Sequence, residues 1–283
     1  MALAQTVRRR QLGAELRRLR EAKGLSAEEV SHNLPRWGVS KISRMENAKV
    51  AVREKEVAEL LEFYEADAEL TKILLEVTRN AAKRGWWQSY REVLTPRLSD
   101  LIALEAEASE IKLYETFFVP GLFQTADYAR TVITQLGNPA VGIDAQVEIR
   151  VARQSILTRP SPPEIWAVIN EAALRARVGS PGVMAGQLER LVGLTHLSNV
   201  NIQVMPIDAA VHPGMDGAFT GINFPHQSGL DVVLVPTARS SLWIEDHSDV
   251  GRYKAIFQKV TAEALSLEKS LEFIIDLKDR LTK

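Results

Sequence analysis

The sequence contains no cysteine, which excludes disulfide bonds, thiolate metal sites and a thiol nucleophile. It also lacks any uninterrupted apolar run of about 18 residues, the length that a membrane-spanning helix requires. Its arginine-bearing N-terminus is not followed by the apolar stretch of a secretory signal peptide. We therefore expect a soluble, cytoplasmic protein with no membrane segment.

A strong net charge is absent as well, since the 283 residues sum to −1, but this average hides a split along the chain. Residues 1–49 hold eleven basic and five acidic side chains, a net charge of +6. Residues 50–78 hold three basic and eight acidic ones, a net charge of −5. This asymmetry indicates a basic surface near the start of the chain.

Five short helices are predicted in residues 1–82. Leucines at helical spacing indicate the first, within residues 8–23. The second begins at Ser26, a good N-cap with Glu29 at the spacing of a capping box. A turn with a glycine separates it from a basic third helix that begins at about residue 40, and this order describes a helix-turn-helix. The fourth and fifth helices are predicted at about 53–64 and 68–82.

The rest of the chain predicts a mixed α+β domain behind this all-α head, because strand and helix patterns alternate along it. The length and a hydrophobic content of 46% suit two domains with a core each. A change of composition at residues 81–87 places the boundary, giving domains 1–82 and 83–283. Strands are expected at 164–170, 201–207, 218–224, 230–236 and 240–246. Helices are expected at 99–117, from about 125, and at 143–157, 182–196, 247–263 and 265–281.

Four motifs of the head stand in a recognisable order: LRRLREAKGLS, AEEVSHNL, VSKISRMENAK and AELLEFYEA. They resemble the Xre/Cro/repressor class of helix-turn-helix proteins, with a lambda-repressor-like head. Further motifs resemble the large C-terminal domain, of unknown function, that follows this head in many actinobacterial, Streptomyces-type regulators. Among these are GWW at 85–87, LEAEASEIKLYET at 104–116, VPGLFQTADYAR at 119–130, INEAALRARVG at 169–179 and AFTGINF at 218–224.

The resemblance implies a sequence-specific transcriptional regulator that binds double-stranded DNA. The sequence holds no nucleophile elbow, Walker loop or dinucleotide fingerprint, so no enzymatic activity and no cofactor are predicted. The regulator would act as a homodimer, whose two-fold symmetry suits a pseudo-palindromic site. The second domain would sense an unknown small-molecule effector, dimerise or dock a small protein partner encoded nearby. An alternative is a protein-interaction module, antitoxin-like or part of a regulator–antiregulator pair, in which DNA binding is secondary.

The third helix of such proteins presents its N-terminal residues to the major groove. Arg44 can contact O6 and N7 of guanine with two hydrogen bonds, and Val39 can contact a thymine methyl. Ser40 can donate or accept, and Lys41 suits either a base or a phosphate. The predicted base contacts are thus Val39, Ser40, Lys41 and Arg44, and the alternative is a charged helix face that meets only water.

Side-chain donors and helix N-termini position a protein on the DNA backbone, although Ser26 has a simpler role as a helix cap. The resemblance also implies an ion pair between Arg20 and Glu46 that joins the first and third helices, and the alternative is two solvated surface charges. Phosphate contacts are predicted for Ser26, Ser43, Asn47 and Lys49, and for Arg8, Arg9 and Arg10 as a basic arm or a disordered tail.

The chain departs from its relatives where the third helix ends, since Ala48 stands at a position that usually holds glycine. Asn47 tolerates a left-handed conformation better than Ala48, so the exit of this helix is expected to be reshaped. The preceding turn, LPRWGVS, is about one residue longer than in phage repressors.

Two groups in the second domain invite a functional interpretation. Trp86 and Trp87 are expected to line a pocket or a partner surface, or else to belong to the core. Three histidines lie near aspartates in sequence, but none has the tight spacing of a known metal site, so no metal is predicted. These residues are His212, His226, His247, Asp216, Asp231 and Asp246.

Overall fold

The computed structural model describes residues 7–82, 86–90, 93–136, 142–225, 230–237 and 241–281. The chain divides into two compact units, one extending to Trp86 and one beginning at Trp87. The first is all-helical over its described residues, and the second combines helices with a mixed six-stranded sheet. An α+β protein with an all-α head is therefore confirmed.

Local signals set the helices of the first unit. Ser26 Oγ accepts a hydrogen bond from the Glu29 amide at 3.1 Å, and the Glu29 carboxylate accepts one from the Ser26 amide at 2.7 Å. This capping box starts the second helix. Gly24 ends the first with a left-handed φ of 68°. The helices are α1 (Val7–Ala22), α2 (Ala27–Asn33), α3 (Val39–Glu46), α4 (Glu54–Phe63) and α5 (Ala68–Ala82).

Helices α1 and α3 can approach closely because α1 has a glycine, Gly13, where it faces the end of α3. A Cβ added at Gly13 would stand 2.5 Å from the Glu46 carbonyl oxygen, which no real side chain tolerates. Apolar side chains close the core around this contact. Leu16, Leu19, Val30, Ile42 and Met45 are buried, while Leu34 is half-buried.

The second unit is built on a sheet with strand order β3-β2-β1-β4-β5-β6. Strands β1, β2 and β3 are parallel, and β4, β5 and β6 continue the sheet antiparallel. The strands are β1 (Glu110–Glu115), β2 (Glu164–Asn170), β3 (Val200–Met205), β4 (Phe219–Asn223), β5 (Val232–Pro236) and β6 (Ser241–Ile244). The helices are α6 (Pro96–Glu107), α7 (Ala126–Leu136), α8 (Ile143–Arg153), α9 (Glu171–Arg175), α10 (Pro181–Leu194), α11 (His247–Glu263) and α12 (Leu267–Leu281).

The prediction of one helix over 99–117 is wrong. Helix α6 ends at Glu107, and β1 follows as a central strand paired with β2 and β4. Arg159 donates hydrogen bonds to the carbonyls of Ala106 and Ala108, where the helix ends. Partners distant in sequence therefore decide the conformation of a segment whose local pattern is helical.

The other predicted elements are found within a few residues of their expected bounds. The predicted helix 143–157 is α8 followed by a short 3₁₀ helix, Gln154–Leu157. In the described part of the chain, no helix combines the length and the apolar character that crossing a membrane requires.

Candidate nucleic-acid interface

Helix α3 has one buried and one exposed face. Ile42 and Met45 are buried and fix the rotation of the helix about its axis. Val39, at 37% exposure, begins the outer face. The remaining exposed side chains in and just after α3 are Ser40, Ser43, Arg44, Asn47 and Lys49.

Arg44 lies on this outer face with its charge uncommitted. Its Nε donates to the Ser40 carbonyl at 3.3 Å, one turn earlier in the same helix. It forms no ion pair with any described residue. Because no carboxylate of the described residues binds this guanidinium, two of its N–H groups can donate to O6 and N7 of a guanine.

Lys41 is in a different state, although it was predicted beside Arg44. Its Nζ contacts Glu56 Oε1 of α4 at 2.6 Å and lies 4.1 Å from the centroid of the Trp37 ring. The hydrogen bond from Lys41 lowers the pKa of the Glu56 carboxyl, so this carboxyl is ionised at neutral pH. A base contact by Lys41 would first require this pair to open.

Trp37, in the turn before α3, was not predicted to be structural. It is 1% exposed, and its Nε1 donates to Glu59 Oε2 of α4 at 2.9 Å. Arg36 beside it pairs with the same carboxylate at 2.6 Å. The turn is therefore held against α4, and a tryptophan between Pro35 and Gly38 was the available sequence signal.

The structure brings Arg20 and Glu46 together. Arg20 Nε and Nη2 donate to the two Glu46 oxygens at 2.7 and 2.9 Å, and Nη1 donates to the Leu25 carbonyl at 2.7 Å. The side chains are only 11% and 5% exposed. The hydrogen bonds to Glu46 raise the pKa of Arg20. Because the fork is bidentate, it fixes the end of α3 against α1.

The predicted phosphate contacts differ in their surroundings. The Ser26 hydroxyl serves as the cap of α2, while Ser43 is simply exposed. The Asn47 side chain donates to the Ser43 carbonyl at 2.7 Å. Lys49 is exposed and forms no ion pair with the described residues.

The expectation of a basic arm or tail is wrong for Arg8, Arg9 and Arg10. All three lie in the first turns of α1, which begins at Val7. Arg8 is 6% exposed, and its Nη1 donates to Gln11 Oε1 at 3.1 Å. Because the backbone is helical from Val7 onward, these three residues do not form an extended arm that could lie along a DNA groove.

Helix α3 ends through Ala48 and not through the more tolerant Asn47. Ala48 has a φ of 55°, whereas Asn47 has a φ of −91°. The Lys49 amide donates to the Arg44 carbonyl at 2.7 Å across this residue. Ala48 is 2% exposed, so its methyl group belongs to the core that holds it in the left-handed conformation.

Comparison with known families agrees with this geometry. Residues 11–73 match a helix-turn-helix domain. Residues 98–276, more than half of the chain, match the domain of unknown function DUF5753. The chain belongs to the DUF5753 family. No curated protein and no solved structure matches it.

In this DUF5753 protein the N-terminal domain is thus of a DNA-binding class, which suggests a regulator and not an enzyme. Three of the six histidines and aspartates that were considered for a metal site have structural roles. His212 Nδ1 accepts from the Gly214 amide at 3.1 Å, and Asp231 pairs with Lys254 at 2.6 Å. Asp246 caps α11. No three metal-ligating side chains cluster within the described ranges, and His226 lies outside them.

The two tryptophans predicted at a pocket or partner surface lie in a 3₁₀ helix, Trp86–Tyr90. Trp86 is 39% exposed and Trp87 is half-buried. Neither is a fully buried core residue of the DUF5753 protein.

Proposed function

We propose that this protein is a sequence-specific transcriptional regulator of the Xre/Cro type, which inserts α3 into the major groove of DNA. The observation that supports this most directly is the outer face of α3. It carries the uncommitted cation Arg44, while the opposite face is fixed by burial and by the Arg20–Glu46 pair. A rigid helix with a free guanidinium is what base readout needs.

The residues of this face have distinct proposed roles. Arg44 contacts a guanine, Ser40 hydrogen-bonds an adjacent base, and Val39 contacts a thymine methyl. Lys41 contributes only where DNA competes successfully with Glu56. Lys49 contacts a phosphate, as do Ser43, Asn47 and the capped N-terminus of α2 at Ser26.

The proposed regulator is a homodimer that acts in the cytoplasm on a pseudo-palindromic site. Its two α3 helices would be spaced to reach half-sites about 34 Å apart, one helical turn of DNA. The actinobacterial resemblance supports an assignment of the second unit to effector sensing, dimerisation or partner docking.

A second candidate function, docking of a small protein partner, is favoured by exposed apolar side chains of the second unit. Val211 is 92% exposed, and Phe117 and Ile207 are each 70% exposed. Such side chains are common at protein interfaces. Co-purification of the full-length chain with the product of an adjacent small gene tests this function, and separate elution of the two proteins would count against it.

Selection of genomic DNA fragments by the purified full-length protein tests the main proposal. We expect enrichment of a short inverted repeat, with affinity that falls steeply as salt rises because phosphate contacts release counterions. Equal recovery of all fragments at low salt would refute sequence-specific binding.

A further inference from the structure

A mixed-charge cluster in the second unit has no part in the DNA interface. It begins with Glu115, the last residue of β1, at the carboxyl edge of the three parallel strands. The Glu115 side chain is half-buried and makes no hydrogen bond or ion pair with a described residue. A carboxylate left in this way at a strand end is unusual, because buried charges are normally paired.

Arg150 of α8 supplies the opposite charge. Its Nη1 donates to Gln124 Oε1 at 2.7 Å, and it forms no ion pair with the described residues. Gln124 is 3% exposed, and its own amide donates to the Val119 carbonyl at 2.8 Å. The amide oxygen is therefore oriented toward Arg150, which holds the guanidinium in place without neutralising it.

The neighbouring charges are already satisfied. Arg153 forms two hydrogen bonds of 2.5 Å with Glu105, and these side chains are only 11% and 2% exposed. Glu105 is thus committed and does not neutralise Arg150. The backbone of Gly121 covers the two arginines, since a Cβ there would lie 3.4 Å from Arg150 Cδ and 3.6 Å from Arg153 Nη1.

Glu115 and Arg150 affect each other electrostatically without touching. Burial raises the pKa of Glu115 to about 7, while Arg153 and Arg150 oppose this rise. Burial also lowers the pKa of Arg150 to about 10, and the like charge of Arg153 adds to the effect. Each group is poorly solvated and would gain from a bound partner of opposite charge.

We propose that this cluster binds a small zwitterion of the α-amino acid class, with the ligand carboxylate on Arg150 and its ammonium on Glu115. A zwitterion matches one cation and one anion that interact electrostatically without forming an ion pair with each other. Phe117 and Phe118 follow Glu115 closely in sequence and are 70% and 36% exposed. In this proposal they contact the side chain of the ligand. This proposal rests on the effector-sensing role proposed for the second unit.

Calorimetric titration of the full-length, DNA-free protein with the common L-amino acids, one at a time, tests it. We expect saturable binding of at least one. The amino acid that binds most tightly is then compared with two analogues, one that lacks the ammonium group and one that lacks the carboxylate. Each analogue should bind at least about tenfold more weakly, because a hydrogen bond to a charged group is lost. Absence of saturable binding by any amino acid, or equal binding of either analogue, would overturn the proposal.

Variants provide a second readout. Glu115→Gln and Arg150→Gln should each reduce the affinity at least about tenfold, while Arg252→Ala, an exposed charge on α11, should leave it unchanged. Circular dichroism checks that the variants fold, and the analogue comparison on the unaltered protein does not depend on them. These titrations contain no DNA, so they are independent of the selection of genomic fragments that tests DNA binding. Sequence-specific DNA binding in that selection, without amino acid binding here, would reject only the amino acid site.

Discussion

At the scale of single residues, Tyr64 combines burial with an unsatisfied hydroxyl. It is 1% exposed, and its hydroxyl has no hydrogen-bond partner among the described residues. Burial, with a further contribution from Glu46, raises its pKa to about 12. A buried hydroxyl without a partner destabilises a fold by about 1–3 kcal/mol.

We predict that Tyr64→Phe raises the free energy of unfolding by about 1 kcal/mol, since the ring remains and only the hydroxyl is removed. Tyr128→Phe is the matched control. The Tyr128 hydroxyl accepts from the Val119 amide at 3.2 Å, so its removal should destabilise the protein. Urea unfolding of both variants gives the comparison, and a loss of stability in Tyr64→Phe would show that its hydroxyl is satisfied.

Glu115 makes stability depend on pH. Its pKa is about 7 in the folded protein, above the ordinary value of 4.5, so the folded state holds the proton more tightly than the unfolded state. Stability is therefore greatest below the ordinary pKa and falls as pH rises toward 7. A pKa change of this size corresponds to a loss of up to about 3 kcal/mol. The other charged or titratable groups that interact with Glu115 are Arg150, Arg153 and Tyr128. All three are unchanged in the variant used below.

We predict that Glu115→Gln stabilises the protein at about pH 8 and much less at about pH 5, because the amide cannot ionise. The measurement is urea unfolding of both proteins at the two pH values, which cancels the other titrating groups to first order. The same effect of the substitution at both pH values would mean that Glu115 titrates as an ordinary exposed carboxyl.

At the scale of helices and strands, the Arg20–Glu46 pair joins α1 to α3 from a nearly buried position. Removing Arg20 alone leaves an uncompensated carboxylate and should cost about 3–5 kcal/mol. Replacing both residues by leucine should cost less than the two single changes added together. We predict a coupling energy of at least about 2 kcal/mol in this double-mutant cycle.

The exposed pair of Arg17 and Glu21 on α1 provides the control cycle. Its side chains are 57% and 52% exposed, so solvent screens the pair and its coupling energy should be much smaller than that of Arg20 and Glu46. The unfolding midpoints in urea give both cycles. Equal coupling energies in the two cycles would contradict the proposal that Arg20 and Glu46 join α1 to α3.

Locally determined elements could be predicted from the sequence, and elements set by distant partners could not. The capping box of α2 needs only Ser26 and Glu29, so it was visible. Strand β1 was predicted as helix, because its conformation depends on pairing with Glu164–Asn170 and Phe219–Asn223.

The same distinction applies to the candidate site. The exposure of Arg44 and the burial of Ile42 follow from helical spacing alone. The engagement of Lys41 by Glu56 and Trp37 depends on how α4 packs beside α3, which no local pattern specifies. The cluster around Arg150 was missed for the same reason, since its members come from α6, β1, the following loop and α8.

At the scale of the whole molecule, the net charge of −1 conceals a basic first segment with a net charge of +6. The sum over the chain therefore says little about DNA binding, whereas the placement of individual cations says much. Within the first unit, ion pairs with acidic side chains are formed by Arg36, Lys41 and Arg20. Arg44 and Lys49 have no acidic partner among the described residues, which suits Arg44 to base readout and Lys49 to a phosphate contact.

The most direct test is the base preference of Arg44→Ala, measured by quantitative selection from a random DNA library beside the unaltered protein. Arg252→Ala, which removes the same charge from the surface of the second unit, is the control. We predict that the unaltered protein and the control share one palindromic preference, and that Arg44→Ala loses discrimination worth about 1–3 kcal/mol at one guanine of each half-site. Unchanged base preference at every position in Arg44→Ala, with affinity weakened uniformly, would contradict the reading of DNA by α3.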